Sequence, residues 1–236
     1  MDTAEFGYAE RASRLRGAVV WRHRAREDSS KRILPDGCMD VIHSPGGLIV
    51  AGPDTVAHLA GVPAGSRSAA VRFAPGQGPA VLGVPAHEVR DQRIPLDALW
   101  PSARVRRLTE RLDEAPDPGA VLESELLAAD RAPDPLAPRL LARLRAGRTV
   151  AGIAADVGLS ERQLHRRGLR LYGYGLKTLA RILRLGVALD LARAGVAFAT
   201  VAVNSGYADQ AHLARDVKAL AGVTMQELVH GSGPRR

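Results

Sequence analysis

The chain is predicted to be an α+β protein in two parts. The first is a β-rich barrel or sandwich with flanking helices, and the second is an all-α half carrying two helix-turn-helix units. Three observations predict this. Gly and Pro punctuate the first hundred residues at close spacing. One helical phrase then occurs twice, Ile153–Arg166 and Val201–Arg215, with its capping residues Ser160 and Asp209 49 positions apart. The charge also divides: residues 136–236 hold 16 Lys and Arg against 6 Asp and Glu, whereas residues 1–135 hold 17 against 19.

The N-terminal strands follow from the punctuation. Leu34-Pro-Asp-Gly37, Ser44-Pro-Gly-Gly47, Ala51-Gly-Pro-Asp54, Val62-Pro-Ala-Gly65 and Ala74-Pro-Gly76 suit turns, because Pro and Gly are costly inside helices. The short apolar runs between the turns, Ala18–Trp21, Met39–Ile42, Leu48–Val50 and Ala69–Phe73, are the predicted strands. From residue 95 the period changes. Leu96–Leu99, Val105, Leu108 and Leu112, then Val121, Leu122, Leu126 and Leu127, predict two helices broken at Pro116 and Pro118. These helices are expected to pack on the sheet, with a dimer seam as the alternative.

Ala132–Pro138 has three prolines in seven residues and sits where the charge changes sign. It predicts a linker at 132–138 between domains at 1–131 and 139–236. Beyond it the sequence reads as about seven helices. Leu140, Leu141 and Leu144 line the first, stopped near Gly147. Thr149 caps a second, Val150–Val157, which Gly158 ends. Ser160 caps a third that runs to about Leu171. After the turn Tyr172-Gly-Tyr-Gly175 comes a long helix, Lys177–Ala194, with Leu179, Ile182, Leu183 and Val187 on its apolar face. Its length is roughly 27 Å at ~1.5 Å per residue. The second unit follows as Thr200–Ser205, a turn at Gly206, and Asp209–Leu220, closed by Gly222. Thr224 starts a last short helix, and the tail 231–236 is expected to be disordered.

Composition excludes several classes. Cys38 is the only cysteine, so no intramolecular disulfide and no multi-thiolate zinc site can form. Met1–Tyr8 lacks the basic start and apolar core of a signal peptide, and no stretch reaches the ~20 apolar residues that span a bilayer, so the expected location is the cytoplasm. His23, His43, His58 and His87 are scattered, without a His-x-His pair, and no metal or other cofactor is expected. Cys38 beside Asp36 and Asp40 is read as a buried thiol rather than a nucleophile. Asp36, Asp40, Asp54, Arg72 and Arg90 could brace turns or line a polar pocket.

The repeated phrase suits duplex DNA. In the third C-terminal helix Leu164 faces inward, while Arg162, His165 and Arg166 share the opposite side with Gln163 at its border. In the second unit Leu213 and Val217 face inward, leaving Gln210, His212 and Arg215 outward behind the cap Asp209. Arg can bind guanine O6 and N7, and Gln can pair with adenine N6 and N7. The candidate DNA-binding residues are therefore Ser160, Arg162, Gln163, His165, Arg166, Asp209, Gln210, His212 and Arg215, with no catalytic residue. Units held about 34 Å apart could enter two consecutive major-groove segments.

These residues resemble the tandem DNA-binding domain of the AraC/XylS family of bacterial transcription regulators, over about 150–230. The most specific stretches are Gly206-Tyr-Ala-Asp-Gln-Ala-His-Leu-Ala-Arg215 with Ala221-Gly-Val-Thr224, and Gly173–Arg181. The resemblance implies that Arg162, His165 and Arg166 contact bases or phosphates in the first unit, and Gln210, His212 and Arg215 in the second. Three positions depart from the family pattern: Gly168 where a bulky apolar residue is usual, Leu176 where proline is usual, and Val217 where Phe is frequent. Gly168 costs about 1 kcal/mol of helix propensity relative to Ala and removes a core side chain, so either the first unit is less stable or a neighbour such as Leu171 or Tyr172 fills the gap.

The segments Arg32–Asp40, Ala51–Thr55, Val71–Gly76 and Leu82–Ala86 are similar to a β-rich sensor-like domain that precedes this DNA-binding unit in other bacterial regulators. That resemblance implies a cupin-like barrel serving an effector or a dimer. The expected function is a one-component, sequence-specific transcription regulator whose main partner is double-stranded DNA. A small-molecule effector, RNA polymerase and a second copy of the chain stay open as further partners, and no membrane is involved. Two alternatives stand beside it: a constitutive DNA-binding protein whose N-terminal half only oligomerises, and a cupin-type or DNA-modifying enzyme that the helices target.

Overall fold

The computed structural model describes residues 7–129 and 132–230. The expectations for Met1–Phe6 and for the tail 231–236 lie outside them. The N-terminal half contains eight strands: β1 (Gly7–Ala12), β2 (Val19–Arg24), β3 (Ser29–Ile33), β4 (Met39–Ser44), β5 (Gly47–Ala51), β6 (His58–Val62), β7 (Arg67–Phe73) and β8 (Arg93–Pro95). Three α-helices accompany them, α1 (Gly78–Leu82), α2 (Ser102–Glu114) and α3 (Pro118–Ala129), with short 3-10 helices at Ala86–Glu88 and Leu96–Ala98. The helical half follows as α4 (Leu136–Arg145), α5 (Val150–Asp156), α6 (Glu161–Tyr172), α7 (Leu176–Arg193), α8 (Phe198–Asn204), α9 (Gln210–Ala221) and α10 (Met225–His230).

Six strands form one antiparallel sheet in the order β1-β2-β7-β4-β5-β8, and β3 pairs with β6 in a separate ribbon. Alternation along the strands divides the sheet into two unlike faces. Val20, Met39, Val41, Leu48, Val50, Val71 and Phe73 form one face, which packs on Leu108 and Leu112 of α2 and Leu122 and Leu126 of α3. The packing of α2 and α3 against the sheet matches the first of the two expectations for those helices. The other face is more polar. There the half-buried Trp21 donates its indole N–H to Asp40 Oδ1 at 2.6 Å, and Arg72 Nε donates to the same oxygen at 3.2 Å.

The four strands predicted from apolar runs are β2, β4, β5 and β7, the central part of the sheet. The other four, β1, β3, β6 and β8, lie at sheet edges or in the ribbon. Their residues are mostly polar or exposed, so they lack the alternation that marks a half-buried strand.

The predicted linker is shorter than expected. Pro135 is the N-cap of α4, and Pro138 lies in its first turn, where no backbone N–H is needed for the helical ladder. Residues 136–138 are therefore helical. Asp134 also fastens the segment, since its Oδ1 accepts from the Leu136 N–H at 2.9 Å and its Oδ2 pairs with Arg167 of α6.

Helix α7 runs through the second core. Leu176, Leu179, Ile182, Leu185, Ala188, Leu189 and Ala192 are buried, whereas Leu183 is half-buried and Val187 is exposed. The expected stripe was thus correct at Leu179 and Ile182 but drifted out of phase at Val187, because the buried face follows the 3.6-residue period through Leu185 and Leu189.

The two halves meet around the turn between α6 and α7. A Cβ on Gly173 would lie 2.6 Å from Pro53, and one on Gly76 would lie 2.7 Å from Tyr172. Both glycines have positive φ, 84° and 86°, so the close approach and the backbone conformation require the same residue type. Leu34 packs against the helical core, and Leu179 approaches Gly37. Tyr174 is only 3% exposed. Among the described residues its hydroxyl has no hydrogen-bond partner, and burial together with nearby Asp36, Cys38 and Asp54 pushes its pKa upward.

Candidate nucleic-acid interface

In both units a tight glycine turn leads into a second helix capped by a side chain. In the first, Thr149 Oγ1 accepts from the Gly152 N–H at 3.1 Å and starts α5. The turn passes through Gly158 at φ 68°, and α6 begins at Ser160. Ser160 and Gln163 form a reciprocal capping box: the Gln163 N–H donates to Ser160 Oγ at 3.3 Å, and the Ser160 N–H donates to Gln163 Oε1 at 2.9 Å. In the second unit, Gly206 turns the chain at φ 78°. Asp209 caps α9 by accepting the His212 N–H at 2.6 Å.

The recognition faces divide into groups facing solvent and groups that hold local structure. Leu164 on α6 and Leu213 and Val217 on α9 are buried, as the spacing predicts. Arg162, Arg166, Gln210 and Arg215 are exposed. Ser160, Asp209 and Gln163 are occupied as caps, so the Gln163 carbonyl oxygen is not free to pair with adenine while the box is closed. His165 is exposed, but its ring lies over Gly175, with Nδ1 2.6 Å from the place a Cβ would take. His212 is half-buried, sets its ring edge-on to Tyr207 with centroids 5.2 Å apart, and accepts the Ala208 N–H at 3.3 Å through Nδ1.

Several supporting residues escaped the sequence reading. Arg181 on α7 donates to buried Asp216 of α9 from Nε at 2.9 Å and from a terminal nitrogen at 2.5 Å. Arg184, three residues along α7, donates to the Gly206 carbonyl at 3.2 Å and lies over the Tyr207 ring at 4.7 Å. Burial and Asp216 push the Tyr207 hydroxyl up to about 12. The sequence did hold one signal: Asp216 is a carboxylate at an inward position between Leu213 and Leu220, which calls for a partner. Beside α6, a shallow cleft of about 400 Å³ is lined by Leu136, Leu159, Gln163, Arg166, Arg167 and Arg170.

Gly168 sits where the α6–α7 turn crosses its helix. A Cβ there would lie 2.8 Å from Leu176 Cδ1 and 3.0 Å from the Tyr174 carbonyl oxygen. The space is therefore filled by Leu176 and turn backbone, not by Leu171 or Tyr172. Two of the departures from the family pattern answer each other: the glycine makes room for the leucine.

Among the described residues no group of three or more His, Cys, Asp and Glu side chains is placed to hold a metal ion. The Cys38 thiol is pushed well up by burial and by Asp36 and Asp40, which disfavours the thiolate. No helix of the described residues is long and apolar enough to cross a membrane.

Comparison with known proteins agrees with this arrangement. Residues 139–230 match a family model described as a helix-turn-helix domain, and residues 18–95 match a domain of unknown function, DUF6597. No curated protein matches the chain. Among solved structures, the C-terminal domain of AraT, a response regulator from Geobacillus stearothermophilus, is 17% identical, with 44% of this chain and 90% of that one covered at a TM-score of 0.39. ToxT from Vibrio cholerae O395 is 12% identical over 92% of this chain and 99% of its own, at 0.46. Wild-type ToxT from strain SCE256 with bound unsaturated fatty acid is 10% identical over 95% and 100%, at 0.45. The helix-turn-helix match spans the helices from α4 to α10, and the DUF6597 match spans the strands from β2 to β8.

Proposed function

We propose that the chain is a sequence-specific regulator that reads two successive major-groove segments, one with α6 and one with α9. The observation that carries this reading is the pair of exposed outward faces. Arg162 and Arg166 on α6, and Gln210 and Arg215 on α9, have no intramolecular side-chain partner among the described residues. Long hydrogen-bonding groups left free on a helix face suit base edges and phosphates. Arg170, one turn beyond Arg166, extends the cationic strip towards the duplex backbone. Asp209 and Ser160 serve the interface by fixing where each helix starts, His165 and His212 by holding the adjoining turns.

The unit boundaries belong to the same reading: a β-rich half up to residue 131, a short connector, and the DNA-binding half from about 136. Control by a small molecule is the finer part of it. The polar sheet face supports an effector site, because the half-buried Trp21 sits beside the buried Asp40 and the half-buried Arg72. In vitro selection of duplex DNA by the full chain tests the main reading. The expected product is an enriched site with two contacted segments one helical turn apart. Enrichment of a single segment, or none, would overturn it.

A further inference from the structure

We infer that Arg32 and Arg90 are positioning residues for DNA binding, clamping the C-terminal ends of both recognition helices to the N-terminal half. This inference rests on the two-segment reading above.

The last carbonyls of an α-helix lack intrahelical partners, and the helix dipole leaves that end partially negative. In both recognition helices this end points into the N-terminal half and is met there by a cation. Arg90 donates to the carbonyl of Gly173, which ends α6, at 3.2 Å. Arg32, on the ribbon strand β3, donates to the carbonyl of Ala221, the last residue of α9, at 2.9 Å. Beside it the Ala57 N–H donates to the Leu220 carbonyl at 2.7 Å. One β-rich half thus satisfies orphan acceptors on two helices that belong to different reading units.

The loop behind Arg90 is tied in place. Asp91 adopts φ 57°, rare for a non-glycine residue, and its carboxylate accepts from the Thr55 N–H and hydroxyl at 2.6 and 2.9 Å. The loop after β5 that carries Thr55 also brings Pro53 against Gly173, and the Pro53 carbonyl accepts the Asp91 N–H at 3.2 Å. Each recognition helix packs on α7 and on the first helix of its own unit, and α6 also packs on residues Ala86–Glu88 of the N-terminal half. Within the helical half the two units are joined through one 18-residue helix that carries Gly186, a residue that weakens helices, near its middle. A second connection through the sheet closes a frame around α7. The clamped ends are the C-terminal ones, so Arg162, Arg166, Gln210 and Arg215 stay exposed while the clamps are made. The contact is accordingly a brace, not a cover.

A brace contributes only when both helices bind at once. The test compares full-length Arg32→Ala, Arg90→Ala and the double variant on DNA selected by the unaltered chain, and on the same DNA with one segment scrambled. The double variant is expected to lose about tenfold in affinity for two-segment DNA, as two weakened charge-assisted contacts imply, with affinity for one-segment DNA unchanged. Arg32→Lys and Arg90→Lys should recover most of the loss. Equal affinity of double variant and unaltered chain for two-segment DNA would overturn the inference, as would tighter binding, which would make the contact a lock. Equal losses on both DNAs would also overturn it, because that pattern reports general destabilisation. If the unaltered chain selects no two-segment site, the functional reading fails first and the inference falls with it.

Discussion

Glu123 illustrates how much one carboxylate can organise. It is 2% exposed and accepts from the Ser13 hydroxyl and the Arg14 N–H at 2.7 Å each, and from the guanidinium groups of Arg11 and Arg14. Burial alone would raise its pKa, but these donors outweigh it and hold the group at about 2. A folded-state value below the unfolded one stabilises the protein above the unfolded pKa, and that stability is lost as pH falls from about 4.5 towards 2. Glu123→Gln should therefore lower stability at pH 7 by about 1–2 kcal/mol, since the arginines are half-exposed and screened. It should also flatten the acid limb of a urea-midpoint titration, and an unchanged limb would assign the acid sensitivity elsewhere. At the interface, Arg215→Ala or Arg166→Ala should weaken binding to selected DNA by about 1–3 kcal/mol if each makes a bidentate base contact. Fluorescence anisotropy showing no loss removes that residue from the reading set. The sequence placed the polar residues of both helices on the right side. It could not separate groups left free, such as Arg162 and Gln210, from those spent on local structure, such as Gln163 and His212, because both kinds occupy the same helical phase.

Among the elements, α6 and the turn after it form a fitted pair. Alanine at Gly168 would gain helix propensity of about 1 kcal/mol, yet its methyl would press on Leu176 and on the Tyr174 carbonyl. Overpacking is the larger effect, so Gly168→Ala should destabilise the protein by about 1 kcal/mol net. Leu176→Ala alone should cost about 2–3 kcal/mol by opening a cavity. The double variant should cost less than the sum of the two, and strict additivity in chemical denaturation would show that the side chains do not compete for one space. Legibility at this scale followed burial. The helices of both units were readable to within about two residues because their caps and glycine turns are local signals. The central strands showed as apolar runs, but β3 and β6 form a largely exposed ribbon whose pairing is decided by tertiary placement. The extent of α4 was misjudged for a related reason: proline forbids a helix interior, not a first turn.

At the scale of the molecule, charge and connection decide behaviour. The helical half carries the excess of basic residues, so DNA affinity should fall steeply with salt as condensed counterions are released. Arg170→Ala should reduce the slope of log affinity against log salt by about one if that side chain meets a phosphate, and an unaltered slope would place it off the duplex. The sequence announced two halves from the charge break and the prolines, and two cores do form. It gave no sign of how closely the halves join, because the contacts use glycines, a proline and backbone carbonyls, which carry no periodic pattern.

The seat of Tyr174 has a practical consequence. Its ring belongs to the helical core, and Asp36, Cys38, Asp54 and Asp91 of the β-rich half lie near its hydroxyl. A fragment beginning at residue 136 would expose more of Tyr174, take Gly76 away from Tyr172, and leave Arg167 without Asp134. Such a fragment should prove less soluble than the parent chain. Weak DNA binding by it would then report a missing neighbour, not a poor reading surface.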